Sequence, residues 1–254
     1  MKSIFISVRS DSTRLPQKAT LGLHGKPTIQ YLIERLKKSK HADTIILCTT
    51  LLKSDDMLCK IAQDNNILYF RGSSEDKLKR WLGACQQYDV EFFVNADGDD
   101  LFFDAGLADL CFNQYESSGR DIDFIDGRGL YNDVYGIKTR ALKIVCDIKS
   151  DEDTEFIRPY FIDSEHIKAQ KLVDVPAKYE KQDIRMTLDY EEDLHFFSTI
   201  IDYHKTHDLP LSIENILQYI DENPEIKSIN WHCEELWKNN QTKMISRIKK
   251  HSND

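Results

Sequence analysis

Short apolar runs alternate with amphipathic helical stretches through the first hundred residues, and this alternation restricts the fold more than any other feature. Residues 3–8, 44–49, 67–70 and 91–94 are typical of buried strands. Helices are predicted between them, from Pro27 onward and over residues 55–65 and 75–88. Because the crossovers are short, the pattern predicts a largely parallel sheet with helices on both faces.

The alternation loosens after Asp104. The pattern predicts helices near residues 107–115, 140–147 and 152–161, and strands near residues 122–125 and 134–137. A last core strand is predicted at residues 185–188, with amphipathic helices at 191–205 and 212–223. We expect one domain over residues 1–230 and a polar, partly helical tail over residues 231–254.

Charge and composition exclude several classes of partner. The net charge of -9 disfavours nucleic acid and anionic membranes as partners. Six cysteines occur without a C-x-x-C pair, which is typical of reduced thiols. Residues 1–8 form too short an apolar run for a secretion signal, and no stretch approaches the roughly 18 apolar residues of a membrane span. These features predict a cytoplasmic protein.

A basic loop follows the first predicted strand in the segment SVRSDSTRLPQK. It carries Arg9, Arg14 and Lys18, together with small hydroxyl residues such as Ser10. In open α/β sheets the ligand crevice lies outside the carboxyl ends of the strands, where such cations can bind a triphosphate. Three basic residues over ten positions are also common on solvated surfaces, so the position after the first strand favours the phosphate site.

Carboxylates follow two predicted strands. The segment NADGDD places Asp99 and Asp100 directly after the fourth strand, and Asp189 begins a turn before a helix. A hard divalent ion bound to phosphate needs only one or two such carboxylates from the protein. Aspartates at these positions also cap helices and make turns, so each one alone is ambiguous.

Four ordered motifs together resemble the cytidylyltransferase family that includes spore-coat polysaccharide enzymes and CMP-sugar-acid synthetases. They are VRSDSTRLPQK with HGKPTIQYLIERL, then YFRGSSEDKLKRW, then NADGDDLFFD, and finally RMTLDYEEDL. The resemblance implies a Rossmann-like, GT-A-like nucleotidyltransferase fold, a three-layer α/β/α domain with a mostly parallel mixed sheet. It also implies transfer of CMP from CTP to a small acidic sugar, a polyol phosphate or a similar acceptor, for surface polysaccharide or glycoconjugate synthesis, with Mg²⁺ as cofactor.

The resemblance also assigns roles by position. It implies a nucleotide-binding half over about residues 1–104 and an acceptor-binding half over about residues 105–230, and it allows a homodimer. It makes Arg14, Lys18 and Asp99 catalytic and makes Asp99 and Asp189 metal ligands. The implied acceptor contacts are Asn132, Tyr135, Glu155 and Arg158. The implied nucleotide contacts are Val8, Arg9, Ser10, Arg14, Lys18, Thr49, Arg71, Ser73, Arg80, Asp97 and Gly98.

Three departures from the family pattern and two rival functions stay open on the sequence. Gln17 stands where the family usually has Gly, Leu101 where it has Pro, and Phe156 where it has His. The segment 97–99 also reads as the D-x-D of a metal-dependent glycosyltransferase, and a non-catalytic nucleotide-binding protein could carry the same departures. The eight histidines show no metal-ligand spacing, and we interpret them as structural or solvent-facing.

Overall fold

The computed structural model describes residues 1–149, 157–180 and 183–239. The strands are β1 (Lys2–Ser7), β2 (Gly22–Leu23), β3 (Lys26–Pro27), β4 (Thr44–Thr50), β5 (Leu68–Gly72), β6 (Phe92–Asp97), β7 (Phe124–Gly127), β8 (Val134–Lys138) and β9 (Ala169–Lys171). The helices are α1 (Thr28–Leu36), α2 (Asp56–Asp64), α3 (Lys77–Tyr88), α4 (Ala105–Ser117), α5 (Thr139–Ile148), α6 (Arg158–Ile162), α7 (Glu191–Thr206), α8 (Ile213–Glu222) and α9 (residues 231–239).

A seven-stranded sheet forms the centre of the molecule, in the order β5-β4-β1-β6-β8-β7-β9. β8 runs antiparallel to its neighbours β6 and β7, and the other pairs are parallel. The remaining strands, β2 and β3, form a small separate hairpin. The mostly parallel mixed sheet predicted from the sequence is therefore confirmed.

Two hydrophobic clusters cover the two faces of the sheet. Along β1, Ile4 and Ile6 enter one cluster while Phe5 enters the other, because successive side chains of a strand point to opposite faces. Helices α1, α2, α4, α7 and α8 supply the first cluster, and α3, α5 and α6 supply the second. This arrangement is the predicted three-layer α/β/α architecture.

One predicted strand is wrong. Residues 185–188 belong to no strand. Polar and apolar residues alternate in RMTL, but Arg185 is buried like Met186 and Leu188, because its guanidinium pairs with buried carboxylates. The segment is instead attached near the sheet edge through the Leu188 amide, which donates to the Asp99 carbonyl at 2.9 Å. It thereby carries Asp189 to the end of β6.

The remaining predicted elements agree within a few residues wherever the chain is described. The predicted helix at 152–161 begins outside the described residues, and the helix observed there is α6. In the tail, α9 is described and residues 240–254 lie outside. Among the described residues, no helix is both long and apolar enough to cross a bilayer. The division into a nucleotide half and an acceptor half, like the homodimer, stays a prediction.

Candidate active site

The loop between β1 and α1 is fixed to the sheet at several points. The Ser10 amide donates to Asp55 Oδ1 at 2.8 Å, and the Gln17 amide donates to the Ser10 carbonyl at 3.3 Å. The Thr28 hydroxyl donates to the Lys18 carbonyl at the other end of the loop. Gln17 has a φ of 55°, the left-handed region that favours glycine, so the glycine usual in the family would be unstrained at this position.

Lys18 and Arg14 meet the two predicted metal aspartates. Lys18 Nζ lies 2.6 Å from Asp99 Oδ2 and 2.8 Å from Asp189 Oδ1, and so bridges two carboxylates that are ninety residues apart in the chain. Arg14 Nη2 lies 2.6 Å from the same Asp189 oxygen. The structure thus brings the basic loop and both aspartates into one site.

The buried Arg185 side chain holds Asp189 in place. Arg185 donates to Asp189 Oδ2 at 3.2 Å and to both carboxylate oxygens of Asp193, at 2.8 and 3.0 Å. Asp193 also accepts from the backbone amides of Asp189 and Tyr190 at the start of α7. Asp189 is therefore held through its backbone as well as its side chain. We call Arg14, Lys18, Asp99, Asp189 and Arg185 the carboxylate cluster.

The end of β6 needs a glycine to reach this cluster. The Gly98 amide donates to the Ser7 carbonyl at 2.8 Å, and a Cβ at Gly98 would lie 2.6 Å from Val8 Cβ. No side chain fits there, so the chain turns tightly and presents Asp99. Leu101, at the position where the family usually has proline, is fully buried in the core beneath the turn.

The carboxylates in the cluster have strongly divergent pKa values. Burial alone would raise the pKa of Asp189, but Lys18 and Arg14 lower it to about 2. Burial raises the pKa of Asp99, where Lys18 opposes the shift and Asp189 and Asp97 add to it. Burial, together with Asp99 and Asp97, raises the pKa of Asp100 well above its usual range. Around Asp99 and Asp100, the negative charge of the carboxylates therefore exceeds the positive charge of Lys18 and Arg14.

The donor set and the spacing fit a hard cation such as Mg²⁺. Asp99 and Asp189 offer carboxylate oxygens, the ligand type that this ion takes. The ammonium of Lys18 lies between them, so a compact positive charge fits the gap. Positive charge beside a carboxylate favours its ionised form, and Lys18 already opposes the rise in the pKa of Asp99.

Several predicted nucleotide contacts lie beside the loop but are tied to protein partners. Arg71 donates to the carbonyls of Thr50 and Leu52 and to Asp56. The Thr49 hydroxyl donates to Asp55, which is buried. Thr49 thus helps hold Asp55, the residue that orients the Ser10 amide.

Arg9, Ser73 and Arg80 gather on the other side of the loop. Arg80 Nη1 donates to the Ser73 carbonyl at 2.6 Å, and Arg9 Nη1 donates to the Ser74 carbonyl at 3.3 Å. Arg80 Nε is buried and has no hydrogen-bond partner among the described residues. Burial, with a further contribution from Arg9, lowers the pKa of Arg80. A buried donor without a partner is typical of a site that a ligand completes.

One of the predicted acceptor residues, Arg158, lies at a second site on the same edge of the sheet. β7 is antiparallel to β8, which is antiparallel to β6, so β7 ends at the same edge as β6. At the end of β7, Asp126 accepts from Arg158 Nε and Nη2 at 2.9 and 2.8 Å. A cavity of about 210 Å³ opens there, which we call the basic cavity; it is lined by Asp126, Gly127, Arg128, Leu130, Arg158, Lys171, Leu172 and Val175.

The other acceptor candidates lie at varying positions. The Tyr135 amide donates to Asn95 Oδ1 and its ring stacks on Phe124. Asn132 is buried, and its Oδ1 has no hydrogen-bond partner in the described part of the chain. Glu155 lies outside the described residues, as does Phe156.

Comparison with known proteins decides the family. The sequence profile of the family described as cytidylyltransferase matches residues 4–250. The chain belongs to the cytidylyltransferase family. The resemblance that four motifs indicated is therefore confirmed over nearly the whole sequence.

Individual proteins that the chain is similar to are consistent with this family. The chain is 24% identical over 229 residues to the spore coat polysaccharide biosynthesis protein SpsF of Bacillus subtilis, covering 87% of this chain and 94% of that protein. It is also 24% identical over 161 residues to 3-deoxy-manno-octulosonate cytidylyltransferase 2 of Hydrogenovibrio crunogenus, covering 61% and 59% of the two chains. The structure of a cytidylyltransferase from Leptospira borgpetersenii superposes with a TM-score of 0.79 at 26% identity, covering 89% of this chain and 96% of that one.

Three supporting residues, Arg185, Asp55 and Lys77, escaped the sequence analysis. Arg185 and Asp193 hold Asp189, Asp55 orients the Ser10 amide, and Lys77 bonds Asp97 at 2.7 Å. Arg185 and Asp193 lie within the quoted motif RMTLDYEEDL, four residues before and four residues after Asp189. Charged residues at this spacing around Asp189 were the sequence signal that could have identified Arg185. No pattern in the sequence pairs Lys77 with Asp97, because that contact depends on how α3 packs on the sheet.

Proposed function

We propose that the protein transfers CMP from CTP to a small anionic acceptor and releases pyrophosphate. The observation that carries the proposal is the bridge from Lys18 to Asp99 and Asp189, because it joins a phosphate-binding loop to a pair of cation-binding carboxylates. Membership of the cytidylyltransferase family supports the same reaction.

The reaction forms one bond to phosphorus and breaks another. An oxygen of the acceptor attacks the α-phosphorus of CTP, and the bond from that phosphorus to the oxygen bridging to the β-phosphate breaks. The bond electrons leave with pyrophosphate, and the acceptor oxygen loses its proton to solvent if it began as a hydroxyl. Arg14 and Lys18 are placed to stabilise the negative charge on the β- and γ-phosphates as it grows.

Asp99 and Asp189 would hold Mg²⁺, which supplies positive charge to neutralise and orient the phosphates. Asp189 is prepared for this role because Lys18 and Arg14 lower its pKa to about 2, so it is ionised at neutral pH. Arg185 and Asp193 fix its position, which limits the reorganisation needed when the nucleotide binds.

Arg80, Ser73 and Arg9 are proposed to contact the nucleoside end of CTP. The buried Nε of Arg80 offers a donor without a protein partner among the described residues. Buried donors of this kind discriminate between ligands, because a ligand that leaves them unpaired binds weakly.

The basic cavity is proposed to bind the acceptor. It lies two strands beyond β6, which corresponds to roughly 10 Å across the sheet. Asp126 is paired with Arg158, whereas Arg128 and Lys171 have no ion-pair partner among the described residues. Such positive charge in a protein with a net charge of -9 favours an acceptor with a carboxylate or phosphate.

The structure gives less support to a glycosyltransferase that uses the D-x-D at residues 97–99. Asp97 is bonded to Lys77, whereas Asp99 joins Asp189 through Lys18. Asp97 and Asp99 therefore contact different lysines in this structure.

The name of the B. subtilis relative supports a role in polysaccharide biosynthesis. All six cysteines are free thiols, which suits the reducing cytoplasm where CTP is available.

A pyrophosphate-release screen tests the proposed function. Each of the four nucleoside triphosphates is incubated with Mg²⁺ and a panel of acidic sugars and phosphorylated polyols. We expect pyrophosphate only with CTP and an anionic acceptor, and none with the Asp99→Ala variant. Accumulation of a free nucleoside diphosphate from a sugar nucleotide would instead support a glycosyltransferase, and tight CTP binding without pyrophosphate release over the whole panel would support a non-catalytic binding protein.

A further inference from the structure

Three metal-binding side chains of different chemistry meet where α9 packs on the start of α7. His232 Nε2 lies 3.6 Å from Cys233 Sγ and 3.4 Å from Glu192 Oε1. All three ligand atoms lie within 4.8 Å of one another. This group is separate from the carboxylate cluster and contains none of its residues.

The spacing matches a tetrahedral zinc site. Bonds of about 2.3 Å to sulfur and about 2.0 Å to nitrogen or oxygen at tetrahedral angles place neighbouring ligand atoms roughly 3.3–3.6 Å apart. The distances from His232 to Cys233 and to Glu192 are already in or close to that range. Small movements of the exposed Glu192 side chain would bring its carboxylate to the same distance from Cys233 Sγ.

The donor set selects the class of cation. A thiolate, an imidazole and a carboxylate suit zinc and similar transition metals, whereas Mg²⁺ prefers oxygen ligands alone. We infer that Glu192, His232 and Cys233 bind one Zn²⁺-class divalent cation, with solvent as the fourth ligand. The eight histidines show no metal-ligand spacing in the sequence because the carboxylate of this site lies forty residues away from His232.

The position of this site indicates a structural role. Glu192 is next to Asp193, which holds Arg185 and the Asp189 amide, and Cys233 is next to Glu234, which accepts from Arg185 Nη1 at 3.2 Å. A cation bound here would join the same two helix starts that Arg185 joins beneath Asp189. It would therefore attach α9 to α7 and stabilise the outer support of the carboxylate cluster.

Titration of the reduced full-length protein with Co²⁺ tests the inference. Co²⁺ occupies zinc sites and gives an absorption band from thiolate-to-cobalt charge transfer that oxygen ligands cannot give. We expect one equivalent to produce this band, Zn²⁺ to displace it, and Zn²⁺ to raise the melting temperature. Binding of Co²⁺ at Asp99 and Asp189 would lack the thiolate band, so the two sites are distinguishable.

Variants assign the ligands. Cys233→Ser should abolish the charge-transfer band, and His232→Ala and Glu192→Gln should each weaken Zn²⁺ binding at least tenfold. His232 and Glu192 are exposed, so these two variants test the site even if the buried Cys233 is needed for folding. Cys146→Ser and His41→Ala are matched controls, because Cys146 lies on α5 and His41 between α1 and β4, away from α7 and α9.

Two results would overturn the inference. One is the absence of saturable Co²⁺ or Zn²⁺ binding with a thiolate band in the wild-type protein. The other is a band and an affinity that His232→Ala and Glu192→Gln leave unchanged, or that Cys146→Ser removes.

Discussion

The carboxylate cluster and the basic cavity lie at the same edge of one sheet, yet their charges are balanced in different ways. In the carboxylate cluster, Asp189 is 2% exposed and accepts hydrogen bonds from Arg14, Lys18 and Arg185. In the described part of the chain, Asp126 is the only carboxylate that lines the basic cavity, and Arg128 and Lys171 are exposed. Asp189 and Arg185 are buried and closely paired, whereas Arg128 and Lys171 are open to solvent.

This difference separates two tasks. Buried charges that are already paired and oriented can stabilise charge that develops during a reaction, with little reorganisation. Exposed cations on flexible side chains attract an anion but impose less geometry on it. We therefore expect the carboxylate cluster to govern the chemical step and stability, and the basic cavity to govern the choice of acceptor.

Loss of Arg185 should have the largest effect on this contrast. Arg185→Met leaves Asp193 buried without its ion-pair partner, while Asp189 keeps Lys18 and Arg14, and breaking a buried ion pair from one side costs about 3–5 kcal/mol of unfolding free energy. Urea denaturation with an unchanged m-value would measure this loss. Arg120→Met is the matched control, because Arg120 forms its ion pairs on the surface and should contribute no measurable stability. Equal loss in both variants would remove the distinction between buried and exposed pairs.

Asp99→Asn should separate activity from stability. The amide cannot replace a charged metal ligand, so the barrier should rise by about 2–4 kcal/mol and pyrophosphate release should fall roughly 30- to 1000-fold. The raised pKa of Asp99 means that its ionised form destabilises the fold above that pKa, so the neutral variant should unfold at an equal or higher urea concentration at pH 7. A variant that is both active and less stable would contradict the electrostatic account.

Lys18→Met should change metal and nucleotide binding in opposite directions. The Lys18 ammonium bridges the carboxylates proposed to bind the metal, so its removal should strengthen Mn²⁺ binding in the absence of nucleotide roughly tenfold, or about 1.4 kcal/mol. CTP binding should weaken, because a phosphate contact is lost. Calorimetry on both ligands measures the pair of changes. Lys77→Met removes an ion pair to Asp97 alone and should leave Mn²⁺ affinity nearly unchanged; the same gain in both variants would contradict the competition.

The smallest effects are expected in the basic cavity. Arg128→Gln and Lys171→Gln should each raise KM for an anionic acceptor roughly two- to fivefold, in line with exposed charge pairs, without changing KM for CTP. Lys178→Gln is a control on a lysine whose ion pair is to Glu214. If KM for CTP rises while KM for the acceptor does not, the basic cavity belongs to the nucleotide site.

The sequence predicted the central strands well because their physical requirements are simple. β1, β4 and β6 are apolar runs buried on both faces, and the helices that follow carry apolar residues at helical spacing. The ends of β1 and β6 predicted positions near Lys18 and Asp99, whereas Asp189 was identified through the family resemblance, because no strand precedes it.

The sequence could not supply contacts that depend on tertiary packing. Residues 185–188 alternate polar and apolar side chains as a strand does, but Met186 and Leu188 pack against the core and the Leu188 amide bonds the Asp99 carbonyl without placing the segment in the sheet. Arg185 and Asp55 were missed as site residues because their partners are set by packing between elements. The partner of Lys77 was missed for the same reason.

Anomalous diffraction from crystals grown with CTP and Mn²⁺ tests the central claim most directly. The account predicts a manganese peak within bonding distance of the Asp99 and Asp189 carboxylates, with Arg14 and Lys18 in contact with the triphosphate. A manganese peak bound to neither carboxylate, or a triphosphate that contacts neither cation, would contradict it.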